Sequence, residues 1–526
     1  MIILSPAELQ VKVSQLVKDE VDNLSPSTGG ENKFAYPELI RKTYRDVSPI
    51  WSSNGEWMPV TDSLIDLIAK AQLYGLFPED YHSTSIKEIV LAFAADTTGT
   101  GTKKDALMWS KADLLLTDAF IGIIRDIKLG RLPNDSITMR KDSVLPGDFY
   151  SQQYDRIQKQ GLASTINSLE PQHKRYHQLK AGIKRFLDSV DYRNFTKVPY
   201  PEKNKTVFHQ ALQKRLYEAG FIKNDSTSVD SATLAKAIHQ FQQQKGITAD
   251  GRAGEMTVRA MNTDDRERFI RIAISLDKYK MLPSRMPKKY IWVNVSSNFL
   301  QLVDDDTVRL QSKVITGKLK TRTPVLTSDI TQLITYPQWV PPPSIVLKEI
   351  LPAVKRNPGY LAKKGFTLVD SKGNEIDPYS VDWTKYSKGI PYRIIQGSGD
   401  ANALGIMKFV FANKYSVYLH DTNQRYLFAA NMRSLSHGCV RVQEWEKLVY
   451  YIIKNDSLHS TGGNYTRADS VRRWLGNKQK RSISIHNKIP VFLRYITCEG
   501  IDGKITFYDD VYAEDKYLRE KYFASK

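Results

Sequence analysis

Residues 418–442 read YLHDTNQRYLFAANMRSLSHGCVRV and contain the side chains on which the interpretation of the whole chain rests. His420 closes an apolar alternating stretch, and Cys439 follows nineteen positions later within Ser436-His437-Gly438-Cys439. A thiol is a good nucleophile only as the thiolate, and a nearby imidazole is its usual activator. The stretch therefore predicts a cysteine–histidine active site where a strand meets a returning loop.

Each residue of this candidate site has an expected role. We predict that Cys439 attacks a carbonyl, and that His420 first takes its proton and later donates it to the leaving amine. Gly438 lets the backbone turn closely against the thiol, which helps to form a pocket of backbone N–H donors for an oxyanion. His437 is expected to orient the loop, and Ser436 to support it by hydrogen bonds.

Other interpretations of the same residues stay open on spacing alone. Cys439 could be a buried structural cysteine with unrelated histidines near it in sequence. His420, His437 and Cys439 could hold a metal ion, although no fourth ligand follows at a suggestive spacing. A disulfide with Cys498 would silence the thiol. Cys498 lies in a predicted strand outside any motif, where we expect it to be inert.

Composition narrows the class of protein. A chain of 526 residues is too long for one core, so about two to four domains are expected. Its 41% hydrophobic and 25% charged residues are ordinary for a soluble globular protein. The net charge of +19 fits either a basic surface or attraction to an anionic polymer. Nucleic acid is a poor choice of polymer, since no zinc-finger, RRM or basic-zipper pattern occurs.

The sequence also bears on the compartment. No stretch approaches the roughly 20 apolar residues of a membrane span, so we expect no transmembrane segment. The start, MIILSP, is too short an apolar run for a signal peptide. We therefore expect either a cytoplasmic protein or an exported one whose signal has been trimmed from this sequence.

Hydrophobic periodicity predicts a multidomain α+β protein. Residues 1–32 form an N-terminal segment that ends in a Ser25–Gly30 linker, and residues 33–200 form a helical scaffold. Within the scaffold, a helix after a Thr61 or Asp62 cap is expected to end at Gly75. A second helix, from about 111 to 128, is apolar almost all round and should be buried.

Residues 201–264 predict a small three-helix module, and residues 265–526 a catalytic domain rich in strands. The catalytic part contains alternating stretches at 290–295, 300–303, 313–317, 409–411, 416–419, 489–496 and 503–507. Residues 344–390 switch back to helical and loop patterns, which is what a lid-like insertion looks like in sequence.

Two segments, the three-helix module and the stretch around Cys439, resemble known families. The module is similar to peptidoglycan-binding domain type 1, whose residues appear here as Leu212-Gln213, Phe241-Gln242 with Gly246-Ile247, Asp250-Gly251 with Gly254, and Thr257. Such a module is a wall-binding accessory or a structural spacer. His420 with Ser436-His437-Gly438-Cys439 resembles the signature of the YkuD L,D-transpeptidase catalytic domain, and the domain order resembles the large periplasmic YcbB-type enzymes.

The resemblance implies an activity. Cys439 would attack the carbonyl between diaminopimelate and the terminal D-Ala of a peptidoglycan tetrapeptide stem, and another stem would resolve the thioester as a 3→3 cross-link. No cofactor would be needed, carbapenems would acylate Cys439, and the protein would act in the periplasm or cell envelope. Many family members carry Asn at the position of Arg441, so that residue could bind a substrate carboxylate or brace the loop. An L,D-carboxypeptidase, a cysteine amidase and an inactive wall-binding scaffold are the alternatives.

Overall fold

The structure is a computed structural model that describes residues 4–24, 34–45, 48–134, 144–191, 193, 195–200, 204–223, 229–460 and 463–526. It divides into two compact units. One contains Met1–Met286 with Thr497–Lys526, and the other contains Pro287–Ile496. The predicted Ser25–Gly30 linker lies outside the described residues.

A long buried helix, Ala106–Leu129, is the centre of the scaffold. It begins one turn earlier than the sequence predicts, because Asp105 caps it by accepting hydrogen bonds from the backbone N–H groups of Leu107 and Met108. Gly130 ends it with a φ of +78°. The helices around it share its hydrophobic core; they are Pro6–Asp22, Pro37–Thr43, Pro59–Ala69, Ser83–Ala95, Phe149–Gln160 and Leu162–Leu169.

One helix start was predicted wrongly. The helix Pro59–Ala69 begins after Met58, because Pro59 has no N–H to satisfy and fits the first helical position. Thr61 lies inside the first turn, where its hydroxyl donates to the carbonyl oxygen of Trp51 at 2.7 Å instead of capping. The α-helix ends at Ala69, earlier than the predicted Gly75, and Gly75 instead ends the 3₁₀ turn that follows, in the left-handed conformation.

The three-helix module consists of Lys205–Glu218, Ser231–Gln244 and Glu255–Asn262. Gln242 is only 1% exposed and ties its turns together. The Gln242 side-chain amide donates to Asp250 and to the Thr257 hydroxyl, each at 2.8 Å, and its oxygen accepts from the Gly251 N–H at 2.8 Å. Gln242 thus lies at the centre of a hydrogen-bond network that joins Asp250, Gly251 and Thr257.

The first unit also contains the helices Lys174–Leu187 and Asp265–Lys280 and the C-terminal helix Glu514–Tyr522. Between the last two in sequence, Cys498–Ile501 and Lys504–Phe507 pair as a separate hairpin. The hairpin packs on Lys174–Leu187, since a Cβ at Gly500 would lie 2.0 Å from the carbonyl oxygen of Gln178. The second compact unit, 287–496, is therefore shorter than the predicted catalytic segment 265–526.

The second unit is built on a mixed sheet whose pairings form a ring. Its strands in spatial order are β7-β3-β8-β6-β5-β4-β9-β1-β2, and β2 also pairs with β3. The pairs β6–β8, β9–β1 and β7–β3 are parallel and the others antiparallel. The strands are β1 (Lys289–Asn294), β2 (Phe299–Asp304), β3 (Thr307–Gly317), β4 (Leu326–Thr335), β5 (Met407–Phe411), β6 (Leu419–His420), β7 (Ser434–Ser436), β8 (Val440–Val442) and β9 (Arg481–Arg494).

Local sequence explains how these strands begin and end. Asp305 and Asp306 both have positive φ, of 51° and 56°, which forms the tight β2–β3 hairpin. Of the strand predicted at 416–419, only Leu419 is in a strand, because the backbone of Ser416 is left-handed with a φ of 55°. The helix Trp445–His459 covers the sheet, and Ala468–Gly476 follows it.

The predicted insertion forms a subdomain with its own hydrophobic core. It contains a helical stretch, Pro343–Ile345, Val346–Ile350 and Leu351–Arg356, of which the middle part is a turn of π-helix, and the short helix Tyr360–Lys363. The sequence missed the strand Phe366–Val369, which pairs with Arg393–Gln396. At the base, Trp339 and Gln396 exchange backbone hydrogen bonds of 3.0 and 2.7 Å.

Within the described ranges, none of the helices is long and apolar enough to cross a membrane.

The Gln242 network predicts a stability effect. Gln242→Met keeps the volume but leaves the buried partners of the amide unsatisfied, which should cost about 2 kcal/mol of local stability. Hydrogen–deuterium exchange of residues 245–257 in the full chain should accelerate by roughly 30-fold. Gln243→Met, on the exposed neighbour, is the control and should leave exchange unchanged. Equal exchange in the two variants would contradict the structural role of Gln242.

Candidate functional site

The parallel pairing of β6 and β8 arranges the predicted site residues. Leu419 is opposite Val440 and His420 is opposite Arg441, and the Val440 N–H extends the ladder to the Tyr418 carbonyl at 3.1 Å. Because side chains alternate along a strand, Tyr418, His420, Cys439 and Arg441 share one face. Cys439 is diagonal to His420 on this face, so the structure brings the predicted nucleophile and base together.

His420 is only 4% exposed, and its ring is fixed by the residue that follows it. Nδ1–H donates to the backbone carbonyl of Asp421 at 2.5 Å, since a carbonyl can only accept. This leaves Nε2 as the proton acceptor. Burial, and secondarily the charge of Arg441, lowers the pKa of His420 to about 3. The imidazole is therefore neutral at physiological pH.

Asp421 belongs to this support and was not among the predicted residues. Its carboxylate accepts from the Ile406 N–H at 3.0 Å and from the Arg425 guanidinium at 2.8 Å. Gly405 allows the close approach, because a Cβ there would lie 2.2 Å from a carboxylate oxygen of Asp421. These contacts fix the position of Asp421, whose backbone carbonyl accepts the hydrogen bond from the Nδ1–H of His420.

Cys439 is half-buried and its thiol is reduced. Its Sγ lies 3.8 Å from the carbonyl oxygen of Ser416. Burial raises the pKa of the thiol, whereas hydrogen bonding to Tyr418 and the positive charges of Lys408 and Arg441 act to lower it. Among the hydrogen bonds of the described residues, none joins the thiol to His420. A catalytic hydrogen bond of this kind often tightens only when substrate binds.

The loop before Cys439 is held by hydroxyl groups. The Ser436 hydroxyl donates to the carbonyl of Cys439 at 2.6 Å and accepts from the Gly438 N–H at 3.1 Å. Gly438 has a φ of +118°, which strongly favours glycine. Its carbonyl accepts from the Thr323 hydroxyl at 2.8 Å, and Thr321 donates to the Ser436 carbonyl at 3.0 Å.

His437 points toward the insertion. Its Nε2 lies 2.5 Å from a carboxylate oxygen of Glu349, which belongs to the π-helical turn. π-helical turns are frequent at functional sites. His437 therefore joins the loop before Cys439 to the predicted lid.

Arg441 is half-buried and faces the loop after β6. One of its terminal nitrogens donates to the Gln424 side chain at 2.8 Å and to the Thr422 hydroxyl at 3.4 Å. Its Nε is buried, and among the residues that the structure describes it has no hydrogen-bond partner. Of the two roles that the sequence left open, these contacts favour bracing the loop.

The other interpretations of the cysteines can be compared with the structure. Within the described residues, no group of three or more His, Cys, Asp or Glu side chains is placed to hold a metal ion. Both cysteines are free thiols. Cys498 is fully buried, and burial raises its pKa to about 11.

Four further residues around the site were missed by the sequence argument. They are Lys408, Tyr418, Asp421 and Glu349. The alternation of Met407–Phe411 could have placed Lys408 on the polar face of its strand. Glu349 lies far from Cys439 in sequence, and no local pattern marks it.

Comparison with known proteins agrees with the fold. Residues 288–456 match the family model of the L,D-transpeptidase catalytic domain, YkuD. Residues 38–182 match a scaffold domain, and residues 209–261 match a model described as "Putative peptidoglycan binding domain". The chain thus contains a YkuD L,D-transpeptidase catalytic domain together with a helical scaffold and a peptidoglycan-binding-type module.

Individual relatives cover only parts of the chain. A Haemophilus influenzae protein described as "Putative L,D-transpeptidase" is 34% identical over 248 residues, which are 47% of this chain and 48% of that protein. The chain therefore spans about half the length of this curated relative.

Two solved structures are similar at low identity. The L,D-transpeptidase from Mycobacterium smegmatis is 12% identical, with a TM-score of 0.19 over 39% of this chain and 58% of that one. The Ldtfm-avibactam carbamoyl enzyme is 10% identical, with a TM-score of 0.16 over 52% of this chain and 83% of that one.

The buried environment of His420 predicts an unusual titration. The folded pKa of about 3 lies below the ordinary value of about 6.5, so the folded protein keeps the ring neutral while the unfolded chain protonates. The stability from this neutral ring is complete above pH 6.5 and is lost as pH falls toward 3. ¹⁵N NMR of histidine-labelled protein should show neutral His420 down to about pH 4.5, with His420→Gln identifying its signals. A midpoint near 6.5 would contradict this environment.

Proposed function

We propose that the protein is a peptidoglycan L,D-transpeptidase that forms 3→3 cross-links through an acyl-enzyme on Cys439. The observation that carries this proposal is the shared face of two paired parallel strands, on which Cys439 is diagonal to His420 within a YkuD catalytic domain. The peptidoglycan-binding-type module supports a substrate in the cell wall.

The reaction begins on the carbonyl that joins diaminopimelate to the terminal D-Ala of a tetrapeptide stem. His420 takes the proton of Cys439 as the sulfur attacks, and then gives it to the amine of the departing D-Ala. A thioester between the stem and Cys439 remains. The side-chain amine of a second stem attacks it, forming the new amide and restoring the thiol.

The low pKa of His420 suits the second proton transfer. An imidazolium in this buried position is a strong acid, so it readily protonates the leaving amine. Because Nδ1–H is engaged by Asp421, the same nitrogen, Nε2, both accepts and returns the proton. This chemistry needs no metal ion or organic cofactor.

The neighbouring residues have supporting roles in the proposal. Ser436 and Gly438 shape the turn that presents the thiol, with the Gly438 N–H engaged by the Ser436 hydroxyl. His437 links this turn to the insertion through Glu349. Arg441 braces the loop after His420 through Gln424.

The substrate places the protein in the periplasm or cell envelope, where its net charge of +19 would favour the anionic wall. Neither nucleic acid nor a membrane-spanning segment has a part in the proposed function.

Purified protein incubated with disaccharide-tetrapeptide provides the test, with products followed by mass spectrometry. We expect cross-linked dimer and free D-Ala. Cys439→Ala should abolish both products. His420→Gln should reduce the rate by at least about 100-fold, because positioned acid–base catalysis contributes about 10²–10⁴.

Other product patterns would contradict the proposal and indicate a different function. D-Ala without dimer would indicate an L,D-carboxypeptidase, and cleavage elsewhere in the stem would indicate a cysteine amidase. Absence of any product would indicate a wall-binding scaffold without activity. Full activity in Cys439→Ala would remove Cys439 from the mechanism.

A carbapenem should acylate Cys439 in the same way as the stem. Intact mass should increase by one drug molecule, and peptide mapping should place the adduct on Cys439. Cys498 serves as the internal control, because it is fully buried and its pKa is raised to about 11. Labelling of Cys498 in preference to Cys439 would contradict the assignment.

A further inference from the structure

Lys408 lies in the row of side chains that crosses the site. Its strand, β5, pairs antiparallel with β6, and Lys408 is directly opposite His420. His420 is in turn opposite Arg441 of β8. Directly opposed residues project on the same face of a sheet, so Lys408 and Arg441 flank the histidine from its two neighbouring strands.

The Lys408 side chain has a defined position. Its Nζ lies 4.0 Å from the centre of the Tyr418 ring, which is a cation–π contact. The Tyr418 ring also packs edge-on against the ring of His420, with their centres 5.6 Å apart. Tyr418 is therefore packed between the ammonium group and the catalytic pair.

Lys408 is half-buried, and in the part of the chain that the structure describes no carboxylate forms an ion pair with it. The carboxylate nearest in the strand register, Asp421, is engaged by Arg425 at 2.8 Å. On its other side Lys408 is opposite Ile334, which carries no charge. A partly desolvated ammonium without a counter-ion is less stable than a fully hydrated one, so a negative charge that forms nearby would stabilise it.

The titratable and charged groups that face Lys408 identify that partner. They are Tyr418 and His420 of the β6 stretch, and Cys439 and Arg441 of the β8 stretch. Among these, only the thiol and the phenol become anionic, and burial raises the pKa of Tyr418 far above the physiological range. Burial lowers the pKa of Lys408 and raises that of Cys439, and the charges of the two groups act on each other against these shifts.

We propose that Lys408 is a positioning residue of the reaction, whose ammonium group, held against Tyr418, is the counter-charge that stabilises the Cys439 thiolate. When the thiol ionises without substrate, the S–H bond breaks, the electron pair stays on Sγ and the proton passes to a buffer base; in the proposed reaction the same proton passes to His420. The proposal rests on the proposed function only in taking Cys439 as the nucleophile. Lys408 would thus supply the positive charge that an imidazolium supplies in other cysteine–histidine sites.

Alkylation of Cys439 by iodoacetamide, followed by mass spectrometry from about pH 6 to 11, measures the thiolate directly, and the range extends to high pH because burial raises the pKa of the thiol. Lys408→Met keeps the packing on Tyr418 but removes the charge. We expect a midpoint higher by about one pH unit, and alkylation at pH 7 slower by about three- to tenfold. Lys408→Arg should restore most of the rate.

Lys414→Met is the matched control, because Lys414 also lies over a tyrosine ring, that of Tyr415 at 5.3 Å, but in an exposed loop. It should leave the profile unchanged. A second readout is the ratio of alkylation by iodoacetate to that by iodoacetamide, which should fall in Lys408→Met because the anionic reagent loses a nearby cation.

A Lys408→Met profile with the wild-type midpoint would overturn the proposal. So would equal slowing in Lys408→Met and Lys408→Arg at every pH, which would mean that Lys408 only packs. Alkylation does not require peptidoglycan, so a failure of the proposed transpeptidation would be seen separately from a failure of this inference.

Discussion

The site depends on the register of one short parallel strand pair, β6 with β8. The pair contributes few backbone hydrogen bonds, yet it determines which side chains share a face. A slip by one residue would turn Cys439 to the opposite face from His420. Contacts on both sides of Cys439 oppose a shift in register. Val440 and Val442 are fully buried in the sheet core, and the Thr323 hydroxyl holds the carbonyl of Gly438.

Burial and charge act differently on the two reacting groups. Burial favours the neutral form of each, so it raises the pKa of Cys439 and lowers that of His420. The nearby cations, Lys408 and Arg441, then favour the thiolate and disfavour the imidazolium. Cys439 and His420 therefore differ from a pre-formed thiolate–imidazolium pair. Its histidine is poised as a strong acid once it has received the proton.

The sequence alone was enough to predict features formed by residues close together in the chain, but not contacts between distant segments. That His420 and Cys439 lie close together could be predicted, because a thiol and a histidine in this pattern have a specific chemistry that requires their proximity. The module was recognisable because Gln242 contacts Asp250, Gly251 and Thr257 close by in the chain.

Contacts between distant segments could not be predicted in this way. The pairing of β5 with β6 places Lys408 opposite His420, and no local pattern specifies that partner. The tail from Cys498 to Phe507 has the alternation of a strand, but alternation does not indicate which sheet the strand joins. Its hairpin packs on the scaffold helix Lys174–Leu187 and remains separate from the catalytic sheet.

The insertion leaves and re-enters the catalytic domain at one point, since Trp339 and Gln396 pair through their backbones. A segment whose ends already meet imposes little loop-closure entropy on its host, and additional length adds only slowly to that cost. Such a segment can lengthen, shorten or be exchanged during evolution while the sheet beneath keeps its register. The insertion is therefore the part of the catalytic domain in which substrate preference can diverge without altering the residues that carry out the chemistry.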